Sequence, residues 1–295
     1  MMIREPAVAG MFYPRDAKQC RADIETCVRV SEERGATGRA VSDRIFGGIV
    51  PHAGWICSGA VAAGVIREIA AKKLPDVVVV FGAIHVPNVT RAAVFPSGAW
   101  ETPMGLAQIE ARLSDRMCGQ CGILEASAHA HDREHSIEVE VPFLQHLLPG
   151  VPFVPIMTPA DEKAAELGAA MGRVCKHFGV DACFLGSTDL THYGPSYRFT
   201  PQGVGPEGLE WAKRVNDNRM IQLMLAMCEK DAVSEAATNR SACGGGAIAA
   251  TIAACKAMGS QRGTLLEHTT SEEVLVAAGY EPMQDSVGYA GVLFG

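Results

Sequence analysis

Aromatic side chains and long uncharged apolar runs are scarce in this sequence. Phe, Trp and Tyr make up only 6% of the 295 residues, so the core must be built mostly from Ala, Val, Leu, Ile and Met. No window approaches the roughly 18–20 uncharged apolar residues that span a membrane. The first residues, Met1 to Pro6, lack the apolar stretch of a signal peptide. These features argue against an integral membrane protein and predict a cytoplasmic location.

Blocks of lysine and arginine are also absent. The net charge is −7, and without a basic block to follow a phosphate backbone we expect no nucleic acid partner. The ten cysteines, without an export signal, are expected to be free thiols in a reducing compartment. Cys118 and Cys121 form the one CxxC motif, whereas a zinc ribbon requires a second pair. The sequence contains no Walker loop and no GxSxG elbow.

Strand and helix patterns alternate along the chain. The run Val77–Phe81 has no polar alternation, which is typical of a strand covered on both faces. Alternation of this kind favours a three-layer α/β/α fold with a central sheet that is mostly parallel or mixed. No repeat or linker separates parts of the chain, so we predict a single domain over residues 1–295.

Individual elements follow from apolar periodicity and from start and stop signals. Asp16 is expected to cap the first helix and Ser58 the second. The predicted helices are 17–34, 58–73, 136–148, 161–178, 207–228 and 244–258. The predicted strands are 46–51, 77–81, 91–95, 151–157, 182–186, 263–269 and 287–294. Residues 35–44 are small, polar and glycine-containing, which predicts a loop.

Two histidines follow predicted strands beside residues that turn the chain. His52 lies between Pro51, which stops a strand, and Gly54, which allows a turn. His85 comes shortly after the Val77–Phe81 strand. Because ligands bind beyond the carboxyl ends of strands in open α/β sheets, both are candidate metal ligands. The alternative is that each ring only bonds its own loop.

Cys243 precedes three glycines and an alanine-rich helix. The dipole and the free N–H groups at a helix start favour a thiolate. A thiolate can bind a metal or act as a nucleophile. The alternative is that the glycines only permit a tight turn and that the thiol is buried in the core.

Further histidines lie in two polar segments. Asp189 and His192 are three residues apart, and a carboxylate commonly orients a metal-bound or catalytic histidine. An Asx-turn with an exposed His192 is the alternative. His135 ends a run that also contains His129 and His131. We interpret His129 and His131 as incidental, because such runs often lie in solvated loops.

Taken together, these motifs resemble the Memo family, labelled AmmeMemoRadiSam system protein B in prokaryotes. The matching stretches occur in order over nearly the whole chain. They are residues 4–14, 51–55 with 58–59, 102–105, 134–138 with 142–144, 187–194, 243–244 and 286–293.

The resemblance implies a fold similar to the class III extradiol dioxygenases, which hold Fe(II) with two histidines and a carboxylate. It implies that His52 and His85 are the histidine ligands and that Cys243 takes the place of the carboxylate. Fe(II) is the metal expected first, with copper or zinc as alternatives. A thiolate is softer than a carboxylate and easily oxidised, so ring cleavage does not follow from the fold.

The resemblance also implies that His192 and His135 move protons and that Asp189 helps to orient His192. The leading hypothesis is a metal-dependent oxidoreductase that acts on a small organic substrate. One alternative is a metal-independent thiol hydrolase or transferase with Cys243 as nucleophile. Another is a non-catalytic scaffold or signalling protein that binds a metal or a peptide. The prokaryotic family label implies a functional link to a radical-SAM protein.

Overall fold

Twelve strands and ten α-helices alternate along the described part of the chain. The computed structural model describes residues 1–35, 42–87 and 89–295. The strands are β1 Ile3–Arg4, β2 Gly47–Val50, β3 Val77–Gly82, β4 Ala92–Val94, β5 Ala99–Thr102, β6 Gly105–Gln108, β7 Leu124–Ala126, β8 Phe153–Met157, β9 Ala182–Ser187, β10 His192–Tyr193, β11 Gly263–Thr270 and β12 Ser286–Phe294. The helices are α1 Ala17–Glu33, α2 Trp55–Ala70, α3 Ala111–Gln120, α4 Val141–Leu147, α5 Ala164–His177, α6 Pro206–Trp211, α7 Asn218–Leu225, α8 Glu229–Asn239, α9 Gly245–Met258 and α10 Ser271–Ala277.

Four parallel strands form the centre of the larger sheet. They lie in the order β2, β9, β3, β8, so neighbours in space are far apart in sequence. The antiparallel strand β12 joins β2 on one side, and β4 joins β8 antiparallel on the other. A smaller sheet contains β1, β5 and β6. The predicted mixed, partly parallel sheet is therefore confirmed.

Helices cover both faces of the larger sheet. In β3, Val77, Val79 and Phe81 belong to the core cluster that contains α5 and α9 residues. Val78 and Val80 belong to the cluster on the opposite face, with residues of α1, α2 and α4. The run without polar alternation therefore fills two cores at once, as the three-layer prediction required. The single-domain organisation over residues 1–295 stays a prediction.

Two glycines set how closely α5 and α9 pack. A Cβ on Gly168 would lie 1.9 Å from the carbonyl oxygen of Ala250, and one on Gly172 would lie 2.6 Å from that of Ala254. Glycine and alanine at these facing positions bring the two helix backbones together. The position of α9 matters because Cys243 lies directly before it.

Some predicted boundaries were right and others were wrong. Asp16 caps α1 through a hydrogen bond from the N–H of Gln19 to its Oδ1 at 2.9 Å. Helix α2, however, begins at Trp55 after Gly54, and the hydroxyl of Ser58 donates to the carbonyl of Ala53 inside the first turn. Of the predicted loop at 35–44, residues 36–41 lie outside the described residues.

The predicted helix 207–228 is interrupted. Helices α6 and α7 are separated by a π-helical turn at Ala212–Asp217. A π-turn inserts an extra residue into a helix and changes which side chains face the core. Across residues 1–35, 42–87 and 89–295, no helix combines the length and the apolar character needed to cross a bilayer.

Candidate metal centre

The predicted site residues meet at one edge of the larger sheet. The last residues of β2, β9 and β3 lie level, because Val50 pairs with Ser187 and Ser187 pairs with Gly82. These are carboxyl ends of parallel strands, where ligands bind in open α/β sheets. The candidates that lie just beyond these ends or just before α9 are His52, His85, Asp189, His192 and Cys243.

Three candidate ligands face one another. One side-chain atom from each of His52, His85 and Cys243 lies within 4.8 Å of the other two. Nε2 of His52 is 3.3 Å from the Cys243 sulfur. The two imidazole rings meet edge to face with their centroids 5.1 Å apart. Two nitrogens and one sulfur in this arrangement suit a single transition-metal ion.

The tautomer of His52 is fixed by its neighbours. The hydroxyl of Ser187 donates its one proton to the carbonyl of Ser136 at 2.5 Å. It can therefore only accept from Nδ1 of His52, which lies 2.8 Å away. Burial, followed by the charges of nearby histidines, keeps the pKa of His52 well below its ordinary value, so the ring is neutral. The lone pair belongs to Nε2, the atom that faces Cys243.

A buried carboxylate orients His85. Oε1 of Glu134 lies 3.0 Å from Nδ1 of His85, and Oε2 accepts the His85 backbone N–H at 2.5 Å. Burial opposes ionisation of Glu134, but hydrogen bonds and charge from His85 outweigh it and lower the pKa to about 2. Burial also opposes the charged form of His85, which by itself would lower its pKa. Hydrogen bonds and charge from Cys243 and Glu134 outweigh burial and raise the pKa of His85 to about 10. Nδ1 therefore donates to Glu134. At this pKa Nε2 also carries a proton, which a metal ion bound on the side of Cys243 would displace.

A second group of potential ligands, His85, Glu134 and His135, is less suited to a metal. The two oxygens of Glu134 already accept four N–H groups, from the ring and backbone of His85 and from the backbones of His135 and Ser136. A carboxylate in this position holds ligands in place instead of binding the metal itself. Among the residues described, the set His52, His85 and Cys243 is the one that fits.

Close packing fixes Cys243 before α9. Its backbone N–H donates to the carbonyl of Asp189 at 3.1 Å, and the Asp189 N–H approaches its sulfur at 3.3 Å. The following residue, Gly244, donates its N–H to Oγ1 of Thr188 at 2.9 Å. A Cβ on Gly244 would lie 2.8 Å from Thr188 atoms, so glycine is needed for this close approach. The sulfur is thus held by the loop that follows β9.

The candidate proton-handling histidines lie close to His52 and His85. The ring of His135 lies 5.4 Å from that of His52 and 4.6 Å from that of His85, centroid to centroid. Burial, followed by the charge of His85, lowers the pKa of His135. The same causes, with Arg240 contributing, lower the pKa of His192 to about 4. Both rings are neutral at neutral pH and can accept protons.

Asp189 contacts the His52 loop more directly than it contacts His192. Its Oδ1 accepts the His52 backbone N–H at 2.8 Å, whereas its Oδ2 is 4.0 Å from Nε2 of His192. The longer separation exceeds a hydrogen bond. Burial raises the pKa of Asp189 to about 7 in spite of the backbone hydrogen bonds that it accepts. The role of Asp189 in orienting His192 stays a prediction.

Two aromatic rings stand beside these histidines. Phe12 packs on His135 with centroids 4.9 Å apart, and Tyr197 packs on His192 with centroids 5.0 Å apart. Phe12 is half-buried and Tyr197 is 37% exposed. Apolar ring faces beside a few polar groups are typical of small-molecule sites.

Comparison with known proteins identifies the family of this chain. The family described as Memo-like protein matches residues 4–293. The chain belongs to the Memo family. It is 34% identical over 299 residues to a MEMO1 family protein of Methanopyrus kandleri, with 99% of each chain covered. It is 35% identical over 280 residues to one of Methanothermobacter thermautotrophicus, covering 92% of this chain and 95% of that one.

One solved structure resembles this Memo-family protein in outline. It is the crystal structure of an uncharacterized protein from Escherichia coli K12, with a TM-score of 0.48 and 14% identity. The match covers 78% of this chain and 91% of that chain. It is too distant to inform the function.

Sequence reasoning missed two residues that contact the candidate ligands of this Memo-family protein. Glu134 and Ser187 hold the Nδ1 atoms of His85 and His52. The available signal was position, because each begins a stretch that contains a candidate histidine. The His129 side chain is 94% exposed, as expected of a solvated loop. His131 is not solvated but buried in the core between Phe95 and Trp100.

Proposed function

We propose that this Memo-family protein is a metal-dependent oxidoreductase for a small organic substrate. His52, His85 and Cys243 would hold iron or copper. The observation that carries this proposal is the pair of Nδ1 hydrogen bonds, to Ser187 at 2.8 Å and to Glu134 at 3.0 Å. Together they direct both Nε2 atoms toward one sulfur. Partners of this kind are typical of metal-bound histidines.

A bound iron or copper ion would supply Lewis acidity and one-electron redox chemistry. The chain itself would handle protons. His135 and His192 are neutral at neutral pH and partly exposed in the pocket, so each can accept a proton from a substrate hydroxyl or thiol. The rings of Phe12 and Tyr197 would bind the apolar part of the substrate.

Metal analysis of anaerobically purified protein tests the ligand set. The wild type should contain a stoichiometric amount of iron or copper, and Cys243→Ala should lose most of it. Cys255→Ala is the matched control, because that thiol is fully buried within α9 and away from the three ligands. Equal metal content in the wild type and Cys243→Ala would sink the proposed ligands.

Catalysis needs a separate test. Metal-loaded protein is incubated with a panel of small phenols, diols and thiols, and oxygen uptake and products are followed. His192→Gln should retain the metal and reduce turnover by roughly 10²–10⁴-fold, the usual contribution of a general acid or base. Turnover that is unaffected by His192→Gln and His135→Gln would refute the proton-handling roles.

The 3.3 Å contact between the Cys243 sulfur and Nε2 of His52 also supports a second candidate function. A thiol beside an imidazole is the arrangement of a cysteine nucleophile and its base, as in thiol hydrolases and transferases. Stoichiometric labelling of Cys243 by iodoacetamide, unchanged by chelator or by added metal, would favour this alternative. The functional link to a radical-SAM protein and the cytoplasmic location stay predictions.

A further inference from the structure

A polar cluster outside the ligand set contacts the residue before His192. It consists of Asn216, Asp217 and His268. Asn216 and Asp217 end the π-helical turn, and both are buried, at 0% and 1% exposure. A π-turn has more residues per turn than an α-helix. Here two consecutive side chains, those of Asn216 and Asp217, contact the same neighbour.

That neighbour is Thr191. Nδ2 of Asn216 donates to Oγ1 of Thr191 at 3.1 Å, and the Thr191 backbone N–H donates to Oδ1 of Asp217 at 2.9 Å. The hydroxyl and the backbone N–H of Thr191 are therefore both held by the π-turn. His192 is the next residue, so its backbone is anchored at the point where the loop enters β10.

Strand β12 holds the same residue from the other side. The Gly288 N–H donates to the carbonyl of Thr191 at 3.0 Å, and the Leu190 N–H donates to the carbonyl of Gly288 at 2.8 Å. A Cβ on Gly288 would lie 2.0 Å from Oδ2 of Asp217, so carboxylate and strand are in close contact. Residues 190–191 are therefore held by hydrogen bonds to both the π-turn and β12.

The outer oxygen of the carboxylate has its own partner. Nε2 of His268, on β11, lies 2.9 Å from Oδ2 of Asp217, and the His268 side chain is 16% exposed. A buried carboxylate costs stability unless it is well paired, and apolar residues in such places are often at least as stabilising. A buried, paired carboxylate that accepts the Thr191 N–H therefore indicates a role other than packing.

We infer that Asp217, presented by the π-turn and supported by Asn216 and His268, is a positioning residue for His192. This inference rests on the proposed proton-handling role of His192. Asp217 would act through the Thr191 N–H, by fixing the backbone from which the His192 ring projects beside Tyr197.

Nuclear magnetic resonance of histidine-labelled protein tests this inference. The protein is kept metal-free with a chelator, and the ring signals of His192 are assigned from their loss in His192→Gln. In Asp217→Ala the His192 ring should no longer be held in one position and should become more exposed to solvent. Its pKa should then rise by roughly one unit or more toward the ordinary value. Asp217→Asn keeps the size and an oxygen acceptor for Thr191, so it should restore the wild-type signal.

Lys213→Ala is the matched control. Lys213 also lies in the π-turn but pairs with Glu273 at the surface, so its loss should leave the His192 signal unchanged. Wild-type His192 signals in a folded Asp217→Ala protein would overturn the inference, and so would an equal change in Lys213→Ala.

Thr191→Val provides a second variant should Asp217→Ala fail to fold. It removes only the hydroxyl that Asn216 contacts, and we expect a smaller change of the His192 signal in the same direction. An unchanged signal would overturn the supporting role of Asn216, since Thr191→Val keeps the backbone N–H that donates to Asp217. Because all of these readouts use metal-free protein, a failure of metal binding in the wild type would refute the proposed function and leave the positioning result standing.

Discussion

The hydroxyl of Ser187 accepts a hydrogen bond from Nδ1 of His52 at 2.8 Å and donates a hydrogen bond to the carbonyl of Ser136. These two hydrogen bonds set which nitrogen of His52 carries the lone pair. The imidazole is therefore preorganised for a metal on its Nε2 side, before any metal arrives.

Ser187→Ala is expected to weaken metal binding by about 10–100-fold, the usual effect of losing a partner of a metal-bound histidine. Competition with a calibrated chelator gives the affinity. Ser114→Ala is the control, because Ser114 is equally buried but donates its hydroxyl to a carbonyl in α3. A loss of affinity common to both variants would contradict a specific role for Ser187.

Glu134→Gln should weaken metal binding by a similar factor of about 10–100. The amide keeps the shape of Glu134 but cannot accept from all four N–H groups, so the His85 ring loses its fixed direction. The same chelator competition measures the effect. An affinity equal to that of the wild type would show that Glu134 does not orient His85.

Glu140 gives a prediction about pH. It is 0% exposed, and neither carboxyl oxygen has a hydrogen-bond partner among residues 1–35, 42–87 and 89–295. Burial keeps its pKa well above the ordinary 4.5. Below the unfolded pKa both states are protonated. Above it, the unfolded state ionises while the folded state keeps its proton. The free energy of unfolding should therefore fall with rising pH, by up to about 1.4 kcal/mol per unit from this group.

Glu140→Gln should remove this part of the pH dependence. Denaturant unfolding of the wild type and the variant between acid and neutral pH gives the difference in the free energy of unfolding. The difference should move in favour of the variant as pH rises. Glu101→Gln, at an exposed position, is the control. A constant difference across the range would contradict a protonated Glu140.

Gly168→Ala should destabilise the protein, although alanine is the better helix former by about 1 kcal/mol. The new Cβ would meet the Ala250 carbonyl oxygen at 1.9 Å. Overpacking of this kind costs roughly 1–3 kcal/mol, and a shift of α9 would also move Cys243 and weaken metal binding. In Gly119→Ala, in α3, the new Cβ meets no atom of the described part of the chain within 4 Å, so this variant should be neutral or stabilising. Both are compared by denaturant unfolding.

The central strands could be predicted because continuous apolar runs in the sequence indicate burial on both faces. A continuous β-branched run such as Val77–Val80 has few stable alternatives to a doubly covered strand. The start of α2 could not be predicted. Gly54 offers no capping side chain, and the Trp55 N–H is satisfied by the carbonyl of Phe12 at 2.8 Å, a contact that exists only in the folded chain.

For the site, strand ends and turn residues were sufficient to choose His52, His85 and Cys243 as candidates. They could not identify Glu134 or Ser187, because the role of each depends on which ring atom it faces. The π-turn was equally hidden. After Gly208 the segment 207–228 contains no glycine or proline to mark an interruption, and the extra residue is stabilised by contacts with Thr191 and β12.

The pairing of β12 with β2 has a consequence for the order of events at the ribosome. His52 and His85 emerge early, Cys243 emerges late, and the strand that borders β2 follows it. At a synthesis rate of roughly 5–20 residues per second, Cys243 and β12 emerge on the order of tens of seconds after the two histidines. A nascent chain without Cys243 therefore holds an incomplete set of the proposed donors, and the proposed metal would bind after Cys243 and β12 have emerged.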